Sequence, residues 1–171
     1  MTGEIDVHLH EGGLTMNSGD ANDAYTQIGH GGTGSTAASQ GTGGNNAHIT
    51  VAFCEAGDIN LNGGDGLQSH TQIGHGGNGL GSVKNGDILI DNFNDLNLNG
   101  GVGAEAFALV GHGGRSSGGN KTGDITVSAA PTASAPGATP GTGGNLTMTS
   151  GSGLESFTQI GHGGRSSGNN K

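Results

Sequence analysis

Four histidines of this chain share one setting. His30, His75, His112 and His162 each stand in Gly-His-Gly-Gly, with Ile or Val just before it. Imidazole is the side chain whose charge changes near neutral pH and a common ligand of transition metals. If the four copies stack in register, the histidines form a column, and rings one coil apart could share zinc or nickel. Zinc, however, takes ligands that converge on one point, whereas a column offers collinear ones. Read without a metal, each histidine supplies a turn hydrogen bond and lies flat on its neighbour. The flanking glycines then shape the corner: Gly29, Gly31 and Gly32, Gly74, Gly76 and Gly77, Gly111, Gly113 and Gly114, and Gly161, Gly163 and Gly164.

Other chemistry-bearing residues are thinner. His8 and His10, followed by Glu11, alternate on one strand face and read as outward residues rather than a two-histidine pair. The segments Gly63-Gly64-Asp65-Gly66 and Gly100-Gly101-Val102-Gly103 are similar to the glycine-rich nonapeptide that binds calcium in β-rolls. Yet the ligand position holds Asp23, Gln68, Glu105 and Glu155 in the four copies, and the nonapeptides are not tandem. No glycine run ends in Gly-Lys-Ser/Thr before a helix, so none is a phosphate loop. Acidic pairs such as Asp91/Asp95 or Asp20/Asp23 are the raw material of acid–base hydrolysis of glycosidic bonds. A catalytic site breaks repeat symmetry with unusual side chains, whereas the departures here are insertions of Pro, Ala, Ser, Thr and Gly. Neither an enzyme nor a cofactor is expected.

The elements that must position the histidines also repeat. Each copy carries three short apolar-alternating stretches. The first is Ile5/Val7, Ile49/Val51, Ile88/Ile90 and Ile125/Val127; the second is Leu14/Met16, Ile59/Leu61, Leu96/Leu98 and Leu146/Met148. The third runs into the histidine motif from Tyr25, His70, Phe107 and Phe157. Period-two alternation bounded by Gly, Asn, Asp and Ser signals strands. Gly makes up 40 of 171 residues, a composition hostile to helix.

Spacing fixes the architecture. From the first apolar residue of the second stretch to the residue before Gly-His-Gly-Gly is 14 positions in every copy. The first-to-second connection takes 9, 10, 8 and 21 positions, the last swollen around Pro131, Pro136 and Pro140. Rigid segments alternating with loops that accept insertions (33–46 and 130–144) predict an all-β chain: a parallel β-solenoid, a right-handed β-helix of about four coils of roughly three strands each. It forms a single repeat domain over 1–171, with repeats at about 2–46, 47–85, 86–122 and 123–171. Equivalent strands should pair about 4.8 Å apart, in register. Ile/Val, Leu/Met and Tyr/Phe columns are expected inside, Thr and Asn outside. A further rung in the histidine-motif loop is the alternative for so long a repeat.

Composition narrows function. Leu, Ile, Val and Phe total 30 residues, which borders on disorder, but they fall at fixed repeat positions, and charged residues are only 11%. A formal charge of −9 with five Lys and Arg leaves no basic patch for nucleic acid. No run reaches the length of a membrane-spanning helix, and Met1-Thr2-Gly3 opens no signal peptide. Cys54 alone forms no internal disulfide and reads as a small buried or corner residue. The tail GHGGRSSGNNK joined to the head TGEIDV nearly reproduces the internal run GHGGRSSGGNKTGDITV at 111–127. A chain that starts and stops in one phase of its repeat is a piece of a longer array or a protomer that stacks end to end.

The modules G-D-I-x-V, L-x-L-x-G-G and Y/F-x-Q-I-G-H-G-G resemble the repeats of very large secreted bacterial proteins of the filamentous-haemagglutinin type. Those proteins are passengers of two-partner secretion and autotransporter systems. The resemblance covers nearly all of residues 2–171. It implies a right-handed parallel β-helix in an adhesin-like shaft, extracellular or on the bacterial cell surface; the family's amino-terminal secretion domain has no counterpart in these residues. The expected partners are a second copy or flanking repeats of a longer chain. The alternative function is a metal- or glycan-binding module that uses the histidine column or the loop face, with a host or surface glycan as partner.

Overall fold

A computed structural model describes residues 3–32, 47–79, 83–130 and 144–166. The insertion loops at 33–46 and 131–143 and the ends at 1–2 and 167–171 lie outside the described residues. The fold is a parallel β-solenoid, as the repeat predicts. One sheet stacks β1 (Ile5–Leu9), β4 (Ile49–Phe53), β8 (Ile88–Phe93) and β12 (Ile125–Ala129); a second stacks β2 (Leu14–Asn17), β5 (Ile59–Asn62), β9 (Leu96–Asn99) and β13 (Leu146–Thr149). A third stacks β3 (Tyr25–Ile28), β6 (His70–Ile73), β10 (Phe107–Val110) and β14 (Phe157–Ile160). Every pairing is parallel and joins the residues that the repeat aligns, such as Ile59 with Leu96 and Leu61 with Leu98. Two short strands, β7 (Lys84–Asn85) and β11 (Lys121–Thr122), make a fourth sheet. The coil is therefore three strands with a short extra rung beyond the histidine motif.

The core follows from the alternation. Ile49, Val51, Ile59, Leu61, Ile73, Ile88, Ile90, Leu96 and Leu98 are fully shielded, each lying on an apolar equivalent in the next coil. Outward residues of the second sheet bond to one another: Asn62 donates to Asn17 and Asn99 to Asn62, both at 2.8 Å. In the last coil Leu146 and Met148 are exposed where their equivalents Leu96 and Leu98 are buried, because no coil among the described residues covers them.

One expectation fails. The Tyr/Phe column is not part of the main core. Thr26/Ile28 and their equivalents point inward, so Tyr25, His70, Phe107 and Phe157 occupy the opposite face of the third sheet. That face is covered nonetheless: all four residues of β6 and of β10 are buried, because the chain turns back over it after the histidine motif. Cys54, read as a small buried or corner residue, is the corner one, exposed just after β4.

Candidate functional site

The structure brings His30, His75, His112 and His162 into one column. Adjacent rings stack at centroid distances of 5.0, 4.8 and 4.9 Å, with planes 10°, 1° and 5° apart. The column forms because each motif follows a third-sheet strand held in register, and its first glycine lets coils approach. A Cβ placed on Gly74 or Gly111 would lie 1.9 or 2.0 Å from the carbonyl oxygen of the equivalent glycine one coil on, and both have φ of 151°. Only glycine satisfies both conditions.

Backbone partners occupy the ring nitrogens. The His75 backbone N–H donates to Nδ1 of His112 at 3.0 Å, as His30 N–H does to His75 and, at 3.2 Å, His112 N–H to His162. Nδ1 of the three receiving rings is therefore an acceptor and the proton sits on Nε2. Nε2 then donates within its own coil to the backbone just before the first strand: His75 to Ala47 O at 2.6 Å, His112 to Gly86 O at 2.7 Å, and His162 to Gly123 O at 2.9 Å. His30 Nε2 meets Gly3 O at 3.0 Å. Each histidine thus closes its coil through Nε2, and each ring after the first ties to the coil before through Nδ1.

Burial tunes the inner pair. Desolvation lowers the pKa of His75 to about 4 and that of His112 to about 3, outweighing the carbonyl bonds that pull upward. At neutral pH both are uncharged, with no free lone pair in the ring plane. A metal would have to displace a backbone bond at either ring of this pair. Among the described residues no three His, Cys, Asp or Glu side chains converge as a metal site. His8 lies outward on β1 and His10 beyond its end, both exposed. The Asp95 carboxylate accepts from Asn145 N–H at 2.8 Å and from its amide at 3.0 Å, so it serves the ladder.

Three supporting sets were not read from the sequence. The glutamines before the motif clamp the next coil: Gln27 Nε2 donates to Gly74 O at 2.7 Å and Gly76 O at 2.8 Å, and Gln72 Nε2 to Gly111 O at 2.8 Å. Lys84 and Lys121, paired in the fourth sheet, are fully buried; Lys121 Nζ donates to Ser117 O at 2.7 Å and Gly119 O at 3.0 Å. Desolvation, with Lys121 alongside, lowers the Lys84 pKa to about 8. The second motif glycine makes room for these stems, since a Cβ on Gly76 would lie 2.3 Å from Lys84 Cε. A Val-Lys and an Asn-Lys step gave no cue to burial, because lysine is ordinarily exposed.

The third set occupies the position compared with a calcium ligand. Asp23, Gln68, Glu105 and Glu155 all adopt left-handed backbone, with φ of 59°, 63°, 61° and 62°. In the last three coils the residue after the histidine motif answers it in kind. Asn78 donates to Gln68, Arg115 Nε pairs with Glu105 at 2.8 Å, and Arg165 bridges Glu155 at 2.6 Å and Glu105 at 3.2 Å. Neutral faces neutral and acid faces base. Within the aromatic column, Tyr25, His70, Phe107 and Phe157 stack at 4.5 to 5.3 Å. His70 is buried there, its pKa lowered by desolvation and its Nε2 without a hydrogen-bond partner.

The arrangement can do one thing well: tie each coil to the next through side-chain columns. Comparison with protein-family models, curated proteins and solved structures returns no match to this chain.

Proposed function

We propose that the chain is a structural segment of an extracellular bacterial fibre or adhesin shaft, acting through stiffness and surface display, with further coils continuing its stack. One observation carries the reading. The aliphatic, aromatic and histidine columns run through all four coils in register and the asparagine column through the first three, and the asparagine amides and histidine Nδ1 atoms bond to the neighbouring coil. Groups built for catalysis or capture would aim at a common point outside the stack. The last coil leaves this pattern unfinished, with Ile125, Val127, Leu146, Met148 and Ile160 lining an open apolar hollow. The Gly, Thr and Asn richness and single cysteine suit a surface location. A designed series with two, three and four coils tests the idea. Stability should climb with each coil added, as nearest-neighbour coupling requires, while calorimetry with zinc, nickel and calcium and a glycan array stay silent. Saturable binding at the histidine column or loop face, with stability independent of coil number, would replace the shaft by a binding module.

A further inference from the structure

We infer that Ala21 is a steric stop: it bars another coil from stacking in register beneath the first coil, so the face above the last coil accepts only a coil with glycine at that corner. The inference rests on the shaft reading and specifies which partner its open face fits.

The corner between second and third sheets has one backbone shape in all four coils. Residue 24, 69, 106 or 156 donates its N–H to the carbonyl three positions earlier, at 3.2, 3.3, 3.2 and 3.1 Å. The residue two after the corner is left-handed in each, with φ between 59° and 63°. The corner residue itself is Ala21, Gly66, Gly103 and Gly153. None of these three glycines has a positive φ, so the local backbone would accept alanine. The coil beneath is what forbids it. A Cβ on Gly66 would lie 2.2 Å from Ala21 O, one on Gly103 2.0 Å from Gly66 O, and one on Gly153 2.0 Å from Gly103 O. Contacts under 3.0 Å are essentially never found for a real Cβ.

Among the described residues Ala21 is the one corner residue with no coil below it, and the one that carries a Cβ. Its backbone matches the others, so its methyl points where a lower coil would place the carbonyl of its own corner residue. For a second copy stacked in register, that atom is Gly153 O. The collision falls short of contact by about 1 Å, and the parallel ladder, with its roughly 4.8 Å strand spacing, has no slack to give locally. Head and tail sequences join smoothly along the first strand, but the corner does not pack. The other columns raise no such bar: His162 N–H would meet His30 Nδ1 of a copy above, as His112 N–H meets His162.

A tandem chain decides it. Two full copies are joined from Lys171 to Thr2, which nearly recreates the internal run at 111–127. Ala21→Gly is then placed in the first copy only or in the second copy only, and thermal unfolding is followed. The substitution in the second copy, at the junction, should raise the midpoint by several degrees and merge the halves into one transition. In the first copy, with no coil beneath, it should leave the midpoint unchanged or lower it slightly, because glycine gains freedom when unfolded. Equal effects at both places would overturn the stop while leaving the shaft intact. Halves that melt independently in every version would overturn continuation of the stack, and the stop with it.

Discussion

Acid should weaken this fold already between pH 6.5 and pH 5. The perturbation is a step from pH 7.5 to pH 5. Burial holds His75 at about 4 and His112 at about 3 in the folded chain, against 6.5 for a free imidazole. The unfolded chain therefore binds more protons than the folded one between those values, and stability must fall as pH falls through that window. Above about pH 6.5 both states are neutral there and the curve is flat. At pH 5 the unfolded imidazole lies about 1.5 pH units below its pKa, and each unit is worth about 1.4 kcal/mol, so each histidine withdraws about 2 kcal/mol. Together they withdraw about 4 kcal/mol, a large share of the 5–15 kcal/mol typical of domains. His70, also lowered by desolvation, adds to the same slope. Urea unfolding at half-unit pH steps measures it. His112→Gln provides the control, since an amide can accept from the His75 N–H and donate to Gly86 O without titrating. It should lower stability at pH 7.5 yet remove roughly half of the pair's pH slope. A flat curve from pH 7.5 to 5, or a slope untouched by His112→Gln, would refute the buried neutral column.

Leu98→Asp places an unpaired carboxylate in the core and should cost several kcal/mol, whereas Thr126→Asp, exposed on the first sheet, should stay within about 0.5 kcal/mol of wild type in denaturant titration. Gly111→Ala combines a positive φ with a 2.0 Å approach to Gly161 O and should cost more than 2 kcal/mol; Gly12→Ala, with φ of 81° but nothing within 4 Å, should cost about 1 kcal/mol. Equal losses in melting experiments would mean that coil-to-coil contact does not select the glycine. Glu105→Gln strips a largely buried carboxylate from Arg115 and Arg165 and should cost about 1–3 kcal/mol, while adding Arg115→Asn recreates the Gln68/Asn78 pair and should recover part of that loss. A double mutant no better than the sum of its parts would show the pairing to be incidental.

Much of this was legible because a solenoid is written in local code. Alternation in Ile88/Ile90 and Leu96/Leu98 announces strands with a buried face, and the invariant 14-residue spacing announces a segment held by ladders. Four identical histidine motifs in such a segment have to stack, and they do. The lowered pKa of the inner pair was not legible, because repetition shows that rings stack but not how dry the stack is. Alternation also cannot say whether a strand's second face is covered. Tyr25 and Phe107 read as inward because they are large aromatics; they lie instead on the far side of the third sheet, where the returning chain buries Phe107 and leaves Tyr25 exposed.

What the sequence alone determined is therefore the repeat, the strand class, the register and the identity of the columns, all consequences of side-chain periodicity within a few residues. The tertiary structure alone decided the partners across coils. Residues 37 to 50 positions apart became neighbours, as His75 with His112 and His112 with His162. That proximity buried Lys84 and Lys121, set Glu105 against two arginines, and made glycine compulsory at the corner everywhere but Ala21. The physical reason is the parallel ladder: it places equivalent atoms one strand spacing apart, and at that distance a single methyl, charge or ring nitrogen determines whether the next coil fits.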